Sequence, residues 1–329
     1  MSEKLVHSGL AMQLMAETNS AALLPTSPPS DLPMTWLPLQ EVPSQFGMYR
    51  RALLTRRSGL ERGERLPAFA AQLTLRPSHD WLKKYLDICG WAPRPEQLIF
   101  PLTAPQVIAA PVQTYILTHP QFPITPLGIV HAANEISCVQ PIELDHPLEV
   151  KVWTGETRWK ERGFEFDLHT SVSMQREATP RWVARTVIFR SVHSQDRQKS
   201  KQTKREVEYL EGEQYSLPLS ADQGRKYAPI AGDHNPIHLY PFTAKMFGFK
   251  RPIIHGMWTL ARVLSSLEHQ TRHQEVGTLY VRFKRPLLLP SEATITSITE
   301  AKRSVFQVLD DQKRVALEGA VDLSQSGLD

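Results

Sequence analysis

The sequence has 329 residues, of which 41% are hydrophobic and 22% charged, as in an ordinary globular chain that is long enough for two domains. Its two cysteines, Cys89 and Cys138, lie far apart without a CxxC motif, so we exclude a disulfide framework and a cysteine zinc site and expect a reducing compartment. The net charge of +4 could attract an anionic ligand but is too weak and scattered to indicate nucleic acid binding. No signal peptide or membrane span is recognisable, so we expect a cytoplasmic protein.

The N-terminal part of the chain predicts a flexible leader and then a folded domain. Residues 1–45 are small, polar and proline-rich, which leaves room for one short helix in a flexible leader. Within residues 46–195, AFAAQLTLRPS predicts a strand, and SHDWLKKYLDICG predicts a helix that Ser78 caps and Gly90 ends. The apolar run APQVIAAPVQTYILTH then predicts a buried helix, and four strand-like runs follow it.

The C-terminal part repeats this order after a charged segment. Residues 196–212 lack apolar periodicity, which indicates a solvated linker or, alternatively, a phosphate-binding arm. Residues 213–329 contain the strand GEQYSLPLS, a short helix with Ser220 as its N-cap, the long helix RPIIHGMWTLARVLSSLEH and four further strands. A long apolar helix followed by antiparallel strands favours a sheet that wraps around the helix. The chain is therefore predicted to be an α+β protein with a tandem (double) hot-dog fold.

The segment GDHNPIH concentrates reactive side chains and permits three interpretations. Asp and Asn near a proline commonly form an ordinary turn, because Pro236 forces the preceding residue out of the helical region. The possible ligands of a metal site are Asp233, His234, His238 and His255. Pro236 opposes a regular helix shared by the first two histidines, and we predict no metal. An acid–base pair forms if the turn brings Asp233 and His238 onto one water molecule.

Gly256, where the second long helix should begin, could complete a catalytic site. Its backbone N–H would have no acceptor inside the helix and would have the helix dipole behind it, which suits a developing oxyanion. A glycine also lets a substrate carbonyl approach closely. Tight helix packing would by itself also explain a glycine here.

The two halves of the chain can be compared with each other. LTLRPSHDWLKKYLDICGW aligns without gaps on YSLPLSADQGRKYAPIAGD. This overlay places Tyr85 on Tyr227 and Gly90 on Gly232. The chain therefore contains a weak internal duplication.

The overlay also compares the candidate site with its counterpart in the first half. The positions of Asp233, Asn235 and His238 are taken by Trp91, Pro93 and Glu96. Pro105, which has no N–H to donate, falls near Gly256. The first half has then lost acid, base and oxyanion donor together, which favours the catalytic interpretation over an ordinary turn.

Residues 227–259, YAPIAGDHNPIHLYPFTAKMFGFKRPIIHGMWT, closely resemble the hydratase motif of MaoC-like dehydratases and (R)-specific enoyl-CoA hydratases, roughly Y-x3-[SGA]-G-D-x-N-P-[IL]-H-x5-A. The motif is long and specific. The tandem arrangement, with a first half that lacks the motif, is similar to bacterial double hot-dog 3-hydroxyacyl-thioester dehydratases. The resemblance covers residues 66–323, and the leader has no counterpart in it.

The resemblance implies a role for each matching residue. The motif Asp and His, here Asp233 and His238, position and activate water, and the helix-start glycine, here Gly256, supplies the oxyanion-hole N–H. The residues implied to support the site are Asn235, Tyr227 and Gly232. Ala231 stands where the motif usually has Ser, Thr or a small residue, so a hydroxyl that could donate a hydrogen bond there is absent.

The implied activity is that of a hydro-lyase that interconverts trans-2-enoyl and (R)-3-hydroxyacyl thioesters in fatty acid metabolism. The resemblance implies no metal and no redox cofactor, and the partner is an acyl-CoA or an acyl-carrier protein, whose coenzyme A or phosphopantetheine is part of the substrate. Residues expected beside the acyl chain or its phosphopantetheine are Ile253, Ile254, Met257, Trp258, Lys250 and Arg251, although core packing or solvated charge would also explain them. An acyl thioesterase and a non-catalytic acyl-thioester binding protein are the alternatives, and monomer and homodimer are both open.

Overall fold

The elements of the fold are taken from a computed structural model, which describes residues 8–44, 47–48, 50, 55, 57–92, 98–126, 128–192, 208–267 and 276–323. The helices are α1 (Gly9–Ala21), α2 (His79–Cys89), α3 (Ala104–Thr118), α4 (Gln223–Ala231), α5 (Pro241–Met246) and α6 (Gly256–Ser266), and a 3₁₀ turn spans Pro236–His238. The strands are β1 (Thr35–Trp36), β2 (Phe69–Leu75), β3 (Ile129–Cys138), β4 (Leu148–Lys160), β5 (Gly163–Met174), β6 (Trp182–Ser191), β7 (Glu213–Leu219), β8 (Gly277–Phe283), β9 (Ser291–Glu300), β10 (Arg303–Leu309) and β11 (Val315–Asp322).

The short helices α2 and α4 show how far local sequence decides helix ends. In α2 the Ser78 Oγ accepts a hydrogen bond from the Trp81 N–H at 3.1 Å, and Gly90 ends the helix in the left-handed region with φ 72°, as predicted. In α4 the prediction of Ser220 as N-cap is wrong, because Asp222 occupies that position. The Ser220 hydroxyl instead donates to the Asp222 carboxylate at 2.7 Å, within a turn that precedes the helix.

The eleven strands form one sheet in the order β1-β2-β4-β5-β6-β3-β8-β11-β10-β9-β7. From the centre outward, the strands of the first half follow the order β3-β6-β5-β4-β2 and those of the second half the order β8-β11-β10-β9-β7. Each half therefore arranges its five strands in the same way, on opposite sides of the centre. They meet where β3 and β8 pair antiparallel, from Ala133 opposite Arg282 to Cys138 opposite Gly277. This arrangement confirms the predicted tandem hot-dog fold.

The long helices α3 and α6 are buried on one face of this sheet. Val112 and Ile116 of α3 and Leu260 and Leu264 of α6 are fully buried in one hydrophobic core that runs through both halves. Burial of one such side chain stabilises a fold by about 1.5–3 kcal/mol. The core therefore holds the start of α6 in a fixed position relative to the sheet.

Two buried tyrosines support the internal duplication. The Tyr85 hydroxyl of α2 lies 2.8 Å from the Thr103 hydroxyl, and Thr103 is the residue that precedes α3. In the second half the Tyr227 ring of α4 lies edge-on to the ring of His255, with centroids 5.1 Å apart, and His255 precedes α6. Each half thus places a tyrosine of its short helix against the N-terminus of its long helix.

The N-terminal segment contains one short helix, as expected, and this helix packs against the rest of the fold. The flexibility of residues 1–45 stays a prediction. Helix α1 packs on the face of the sheet opposite α6, where Ala11 and Leu14 join a second hydrophobic cluster with Tyr280, Ile298 and other apolar side chains of the second half. Its N-cap, Ser8, donates a hydrogen bond to Glu208 at 2.9 Å. The apolar residues of α1 find a partner only in the folded sheet, which explains why the local sequence did not reveal its position.

The predicted division into residues 46–195, 196–212 and 213–329 stays a prediction, because the strands form one continuous sheet and residues 193–207 lie outside the described part of the chain. At the end of the predicted linker, Leu210 is buried, and its N–H donates to the Gln307 side chain at 3.0 Å. None of the helices formed by the described residues is long and apolar enough to cross a membrane.

Candidate active site

The candidate catalytic segment begins where α4 ends. Gly232 adopts the left-handed conformation, φ 61°, and the Asp233 N–H donates to the Ala228 carbonyl at 3.2 Å, so the chain leaves the helix at once. On the same helix, a Cβ at Gly224 would lie 2.1 Å from the His238 carbonyl oxygen. Only glycine at this position lets α4 pack so closely against the catalytic turn, a requirement that the sequence analysis missed.

An Asn-Pro turn connects the two proposed catalytic side chains. The Asp233 Oδ1 accepts a hydrogen bond from the Asn235 N–H at 3.0 Å, and the Asn235 Oδ1 accepts one from the Ile237 N–H at 3.3 Å. The 3₁₀ turn that starts at Pro236 then returns His238 toward Asp233. Asn235 therefore acts on the shape of the turn, in agreement with the supporting role that the motif implies.

Asp233 and His238 face each other across a short gap. The Asp233 Oδ2 lies 3.9 Å from the His238 Nε2. The other ring nitrogen, Nδ1, lies 2.8 Å from the Ile253 carbonyl oxygen, and because a carbonyl can only accept, Nδ1 carries the hydrogen. In a neutral ring Nε2 then presents a lone pair toward Asp233, and the gap is too long for a direct hydrogen bond.

His255 joins this pair, although the sequence offered it only as a possible metal ligand and not as a catalytic or supporting residue. Its ring stacks on that of His238, with centroids 3.7 Å apart and planes inclined by 26°. Its Nε2 donates to the Asp233 backbone carbonyl at 3.1 Å and lies 3.8 Å from the Asp233 Oδ2. The sequence could have indicated this position, because His255 directly precedes Gly256 and a predicted site at the start of α6 therefore also contains His255.

Burial keeps both imidazoles neutral. Desolvation lowers the pKa of His238, and the nearby Asp233 carboxylate only partly opposes this effect. Desolvation also lowers the pKa of His255, and proximity to His238 lowers it further. Burial raises the pKa of Tyr227 well above its ordinary value, so its hydroxyl remains protonated.

Tyr227 and His255 leave a complementary donor and acceptor close to the site. Among the described residues, neither the Tyr227 hydroxyl nor the His255 Nδ1 has a hydrogen-bond partner, although both are buried. With Nε2 donating to Asp233, the Nδ1 of His255 is an acceptor, whereas the hydroxyl can donate. This placement agrees with a supporting role for Tyr227.

Gly256 is the first residue of α6, as predicted. The preceding residue, His255, is extended with φ −65° and ψ 133°, so the Gly256 N–H stands at the free N-terminal end of the helix. A Cβ at Gly256 would lie 2.8 Å from the Phe283 ring. Close packing against Phe283 therefore favours glycine as well. The two explanations of Gly256, a proposed oxyanion donor and tight helix packing, are compatible with each other.

The residues expected near the substrate occupy different environments. Ile254 and Trp258 belong to the hydrophobic core, and the Trp258 indole N–H donates to the Ile88 carbonyl at 2.9 Å. Ile253 positions His238 through its carbonyl oxygen, whereas Met257 is only partly buried.

The two basic residues expected near the phosphopantetheine lie on the surface beside the site. Lys250 is exposed, and Arg251 is partly exposed and donates to the Pro290 carbonyl at 2.6 Å.

The metal interpretation finds a different set of groups from the one that the sequence suggested. Asp233, His238 and His255 place one ligand atom each within 4.8 Å of one another, whereas His234 is exposed and does not take part. As arranged, the His255 Nε2 donates to a backbone carbonyl, so it would have to give up this bond to bind a cation. These three residues are the ones that could hold a metal ion, and the prediction of no metal remains a prediction.

Two described residues of the first half differ from the candidate site at the corresponding positions. Trp91, which the overlay puts on Asp233, is buried in the hydrophobic core, and Pro105 is the second residue of α3. Pro93 and Glu96, which the overlay puts on Asn235 and His238, lie outside the described residues.

An aspartate and a histidine face each other on one turn, close to the first residue of a buried helix. This is the arrangement expected from the resemblance to hydratases and dehydratases. A family model described as MaoC like domain matches residues 188–320. The 3-hydroxyacyl-thioester dehydratase X of Mycobacterium tuberculosis is 33% identical over 193 residues, which cover 59% of this chain and 68% of that protein. The chain belongs to the family of MaoC-like dehydratases.

Further relatives agree with this assignment. The (R)-specific enoyl-CoA hydratase of Aeromonas caviae is 36% identical over 95 residues, 26% of this chain and 69% of that protein. The crystal structure of HtdX from Mycobacterium tuberculosis superimposes with a TM-score of 0.65 at 27% identity, covering 76% of this chain and 97% of that chain. A MaoC-like dehydratase from Phytophthora capsici, at 18% identity, shares the fold with a TM-score of 0.61 over 78% of this chain and 94% of that chain.

Proposed function

We propose that this protein adds water reversibly to trans-2-enoyl thioesters, giving (R)-3-hydroxyacyl thioesters, as a hydro-lyase of fatty acid metabolism. The observation that carries the proposal is the 3.9 Å gap between the Asp233 Oδ2 and the His238 Nε2. Both atoms accept hydrogen bonds in this arrangement, so one water molecule between them can donate a hydrogen to each. Its lone pairs then point toward the substrate.

Each side chain has one task in the reaction. Asp233 accepts a proton as the water oxygen bonds to C3, and the electron pair of the double bond moves through C2 to the thioester oxygen. The Gly256 N–H donates a hydrogen bond to this enolate-like oxygen. The proton on Asp233 reaches His238 by way of the new C3 hydroxyl, which takes a proton from Asp233 as it gives its own to the free Nε2 of His238, and His238 then delivers a proton to C2. The product carries one hydrogen of the water on C2 and the other on the hydroxyl. Hydrogen and hydroxyl therefore arrive from the same side, which is syn addition.

The names of the relatives support this reaction class. One is a 3-hydroxyacyl-thioester dehydratase and another an (R)-specific enoyl-CoA hydratase. We propose that the thioester carrier, coenzyme A or an acyl-carrier protein, meets Lys250 and Arg251 at the mouth of the site. Met257, which is partly buried, is the best placed of the four apolar candidates to contact the acyl chain.

The test is direct incubation with trans-2-enoyl-CoA of several chain lengths. The enoyl absorbance is expected to fall without release of free thiol, and chiral analysis should identify the (R)-3-hydroxyacyl product. Because no step requires a metal, EDTA should leave the rate unchanged. Release of free thiol would show a thioesterase instead, and an unchanged spectrum with every chain length on both carriers would show that the protein does not catalyse this reaction.

A further inference from the structure

A cluster of exposed apolar side chains lies directly after the catalytic turn. Tyr240, Phe242, Met246 and Phe247 have 54%, 74%, 68% and 37% of their surface exposed, and we call these four residues the α5 patch. Single exposed apolar residues are common on protein surfaces, but four within eight positions of one short helix and its two ends are a candidate for an interaction site.

The α5 patch is held firmly against the catalytic turn. The Thr243 Oγ1 donates to the Pro236 carbonyl at 2.7 Å, and Ala244, on the inner side of α5, is fully buried. The Arg225 guanidinium donates to the Leu239 carbonyl at 2.9 Å and lies over the Tyr240 ring, 5.2 Å from its centroid. A partner that binds the patch would therefore be placed at a fixed position beside Asp233 and His238.

The charged side chains near the patch along the chain are mostly positive. Between residues 222 and 251 the basic side chains are Arg225, Lys226, Lys245, Lys250 and Arg251. Of the two acidic ones, Asp222 pairs with Lys226 at 3.0 Å and Asp233 belongs to the candidate catalytic site. A second copy of this chain would bring two such surfaces together and would be repelled. Aromatic residues, methionine and arginine are typical of protein interfaces, and the positive rim selects a negatively charged partner.

We propose that the α5 patch is the docking surface for an acidic acyl-carrier protein that presents the enoyl chain on its phosphopantetheine. This inference rests on the proposed hydration of enoyl thioesters. Coenzyme A needs basic groups for its phosphates but has no use for an exposed apolar surface outside the pocket. An acyl-carrier protein would use both the basic groups and the apolar surface. The basic side chains attract its acidic surface, and apolar contacts with the α5 patch keep it bound while the acyl chain reaches Asp233.

The experiment compares one enoyl chain on two carriers. Trans-2-octenoyl-CoA and trans-2-octenoyl on a bacterial type II acyl-carrier protein are given to the wild type and to Phe242→Ser, Lys245→Glu and the double variant. For the double variant, kcat/KM is expected to fall at least about tenfold with the carrier protein and to stay within about twofold with coenzyme A. Added salt should lower the wild-type kcat/KM with the carrier protein more steeply than with coenzyme A.

Matched controls make the same changes elsewhere on the surface. Leu23→Ser replaces an apolar side chain that is 85% exposed, and Lys83→Glu reverses an exposed charge on α2. Neither should alter kcat/KM with either carrier. Thermal melting of all variants checks that the fold is intact.

Four outcomes would overturn the proposal. Equal loss with both carriers would show a structural role of the patch, and undiminished activity with the carrier protein would show that it docks elsewhere. Binding of the wild type to phosphatidylglycerol vesicles, abolished by Phe242→Ser while carrier kinetics stay normal, would show a membrane surface. A dimer in sedimentation that Phe242→Ser dissociates would show a contact between copies.

The wild type by itself separates this proposal from the proposed function. Hydration of octenoyl-CoA without activity on the carrier protein would overturn the docking surface while the function stands. If the wild type hydrates neither substrate, the proposed function is wrong and the docking surface falls with it.

Discussion

The rings of His238 and His255 are stacked, with their centroids 3.7 Å apart, and the His255 Nε2 donates to the backbone carbonyl of Asp233. The His255 ring therefore contacts His238 through its face and Asp233 through its edge. Burial lowers the pKa of both rings, so the stack is formed by two neutral imidazoles. We infer that His255 acts as a positioning residue that fixes the distance between Asp233 and His238.

Replacement of His255 tests this positioning role. His255→Leu removes both the stacking ring and the N–H donor, and we expect kcat to fall roughly ten- to a hundredfold with little change in KM, because small displacements of catalytic groups are costly. His255→Gln can still donate to the Asp233 carbonyl and should recover part of kcat. If both variants lose thermal stability but retain kcat, His255 serves the packing of α6 alone.

Asp233 and His238 are expected to act as one unit on one water molecule. Asp233→Asn and His238→Ala should each lower kcat/KM at least about a hundredfold. The double variant should lose little more than either single variant, because each change already disables the same water. His234→Ala is the control, since His234 lies in the same segment but is exposed, and it should keep near-normal kinetics. Fully additive losses would show that the two residues act independently.

Gly256 permits a matched test of the oxyanion donor. Gly256→Ala and Gly256→Pro both place a Cβ against Phe283, but only proline removes the N–H. Proline is tolerated at the first helical position, and the extended conformation of His255 suits a residue before proline. We expect kcat of the proline variant to lie about a hundred- to a thousandfold below that of the alanine variant. Equal activity of the two variants would remove the N–H from the mechanism.

A partly buried histidine, His131, makes the stability of the fold sensitive to acid. Burial lowers the pKa of His131 from 6.5 to about 4. Below pH 6.5 the unfolded chain binds a proton that the folded chain refuses, so this stabilising contribution is present above pH 6.5 and is lost as the pH falls toward 4.

The measurement is urea unfolding between pH 7 and 4.5. His131→Phe removes this titrating group from a site beside the Phe283 ring, so the slope of the unfolding free energy against pH should decrease, most strongly near about pH 5 and by at most about 1.4 kcal/mol per unit. An unaltered slope in His131→Phe would show that His131 titrates alike in both states.

Helix α1 is expected to contribute to the stability of the second half. Leu14 is only 2% exposed in the cluster beneath α1, so Leu14→Ala should lower the free energy of unfolding by about 2–5 kcal/mol. Met12 on the same helix is 48% exposed, and Met12→Ala should change it by less than about 0.5 kcal/mol. Equal, small effects in urea unfolding would mean that α1 is undocked in solution.

Much of the fold can be predicted from the sequence, because helix ends, turns and apolar periodicity depend on residues that are close together along the chain. The cap at Ser78 and the terminating Gly90 depend on residues a few positions apart, and so does the turn from Asp233 to His238. The repeat of strand, short helix, long helix and four strands needs only apolar periodicity, and it was sufficient to predict the tandem fold.

Other features were decided by tertiary structure. His255 is separated from Asp233 by 22 positions, and it reaches the site because the Ile253 N–H binds the Ile237 carbonyl and the core holds α6 behind it. From the sequence alone, α1 is predicted to be part of a flexible leader. Its binding site on the sheet exists only when folding brings Tyr280 and Ile298 together on one face. Contacts of this kind join residues that are distant along the chain, and they form only when the sheet closes over its core.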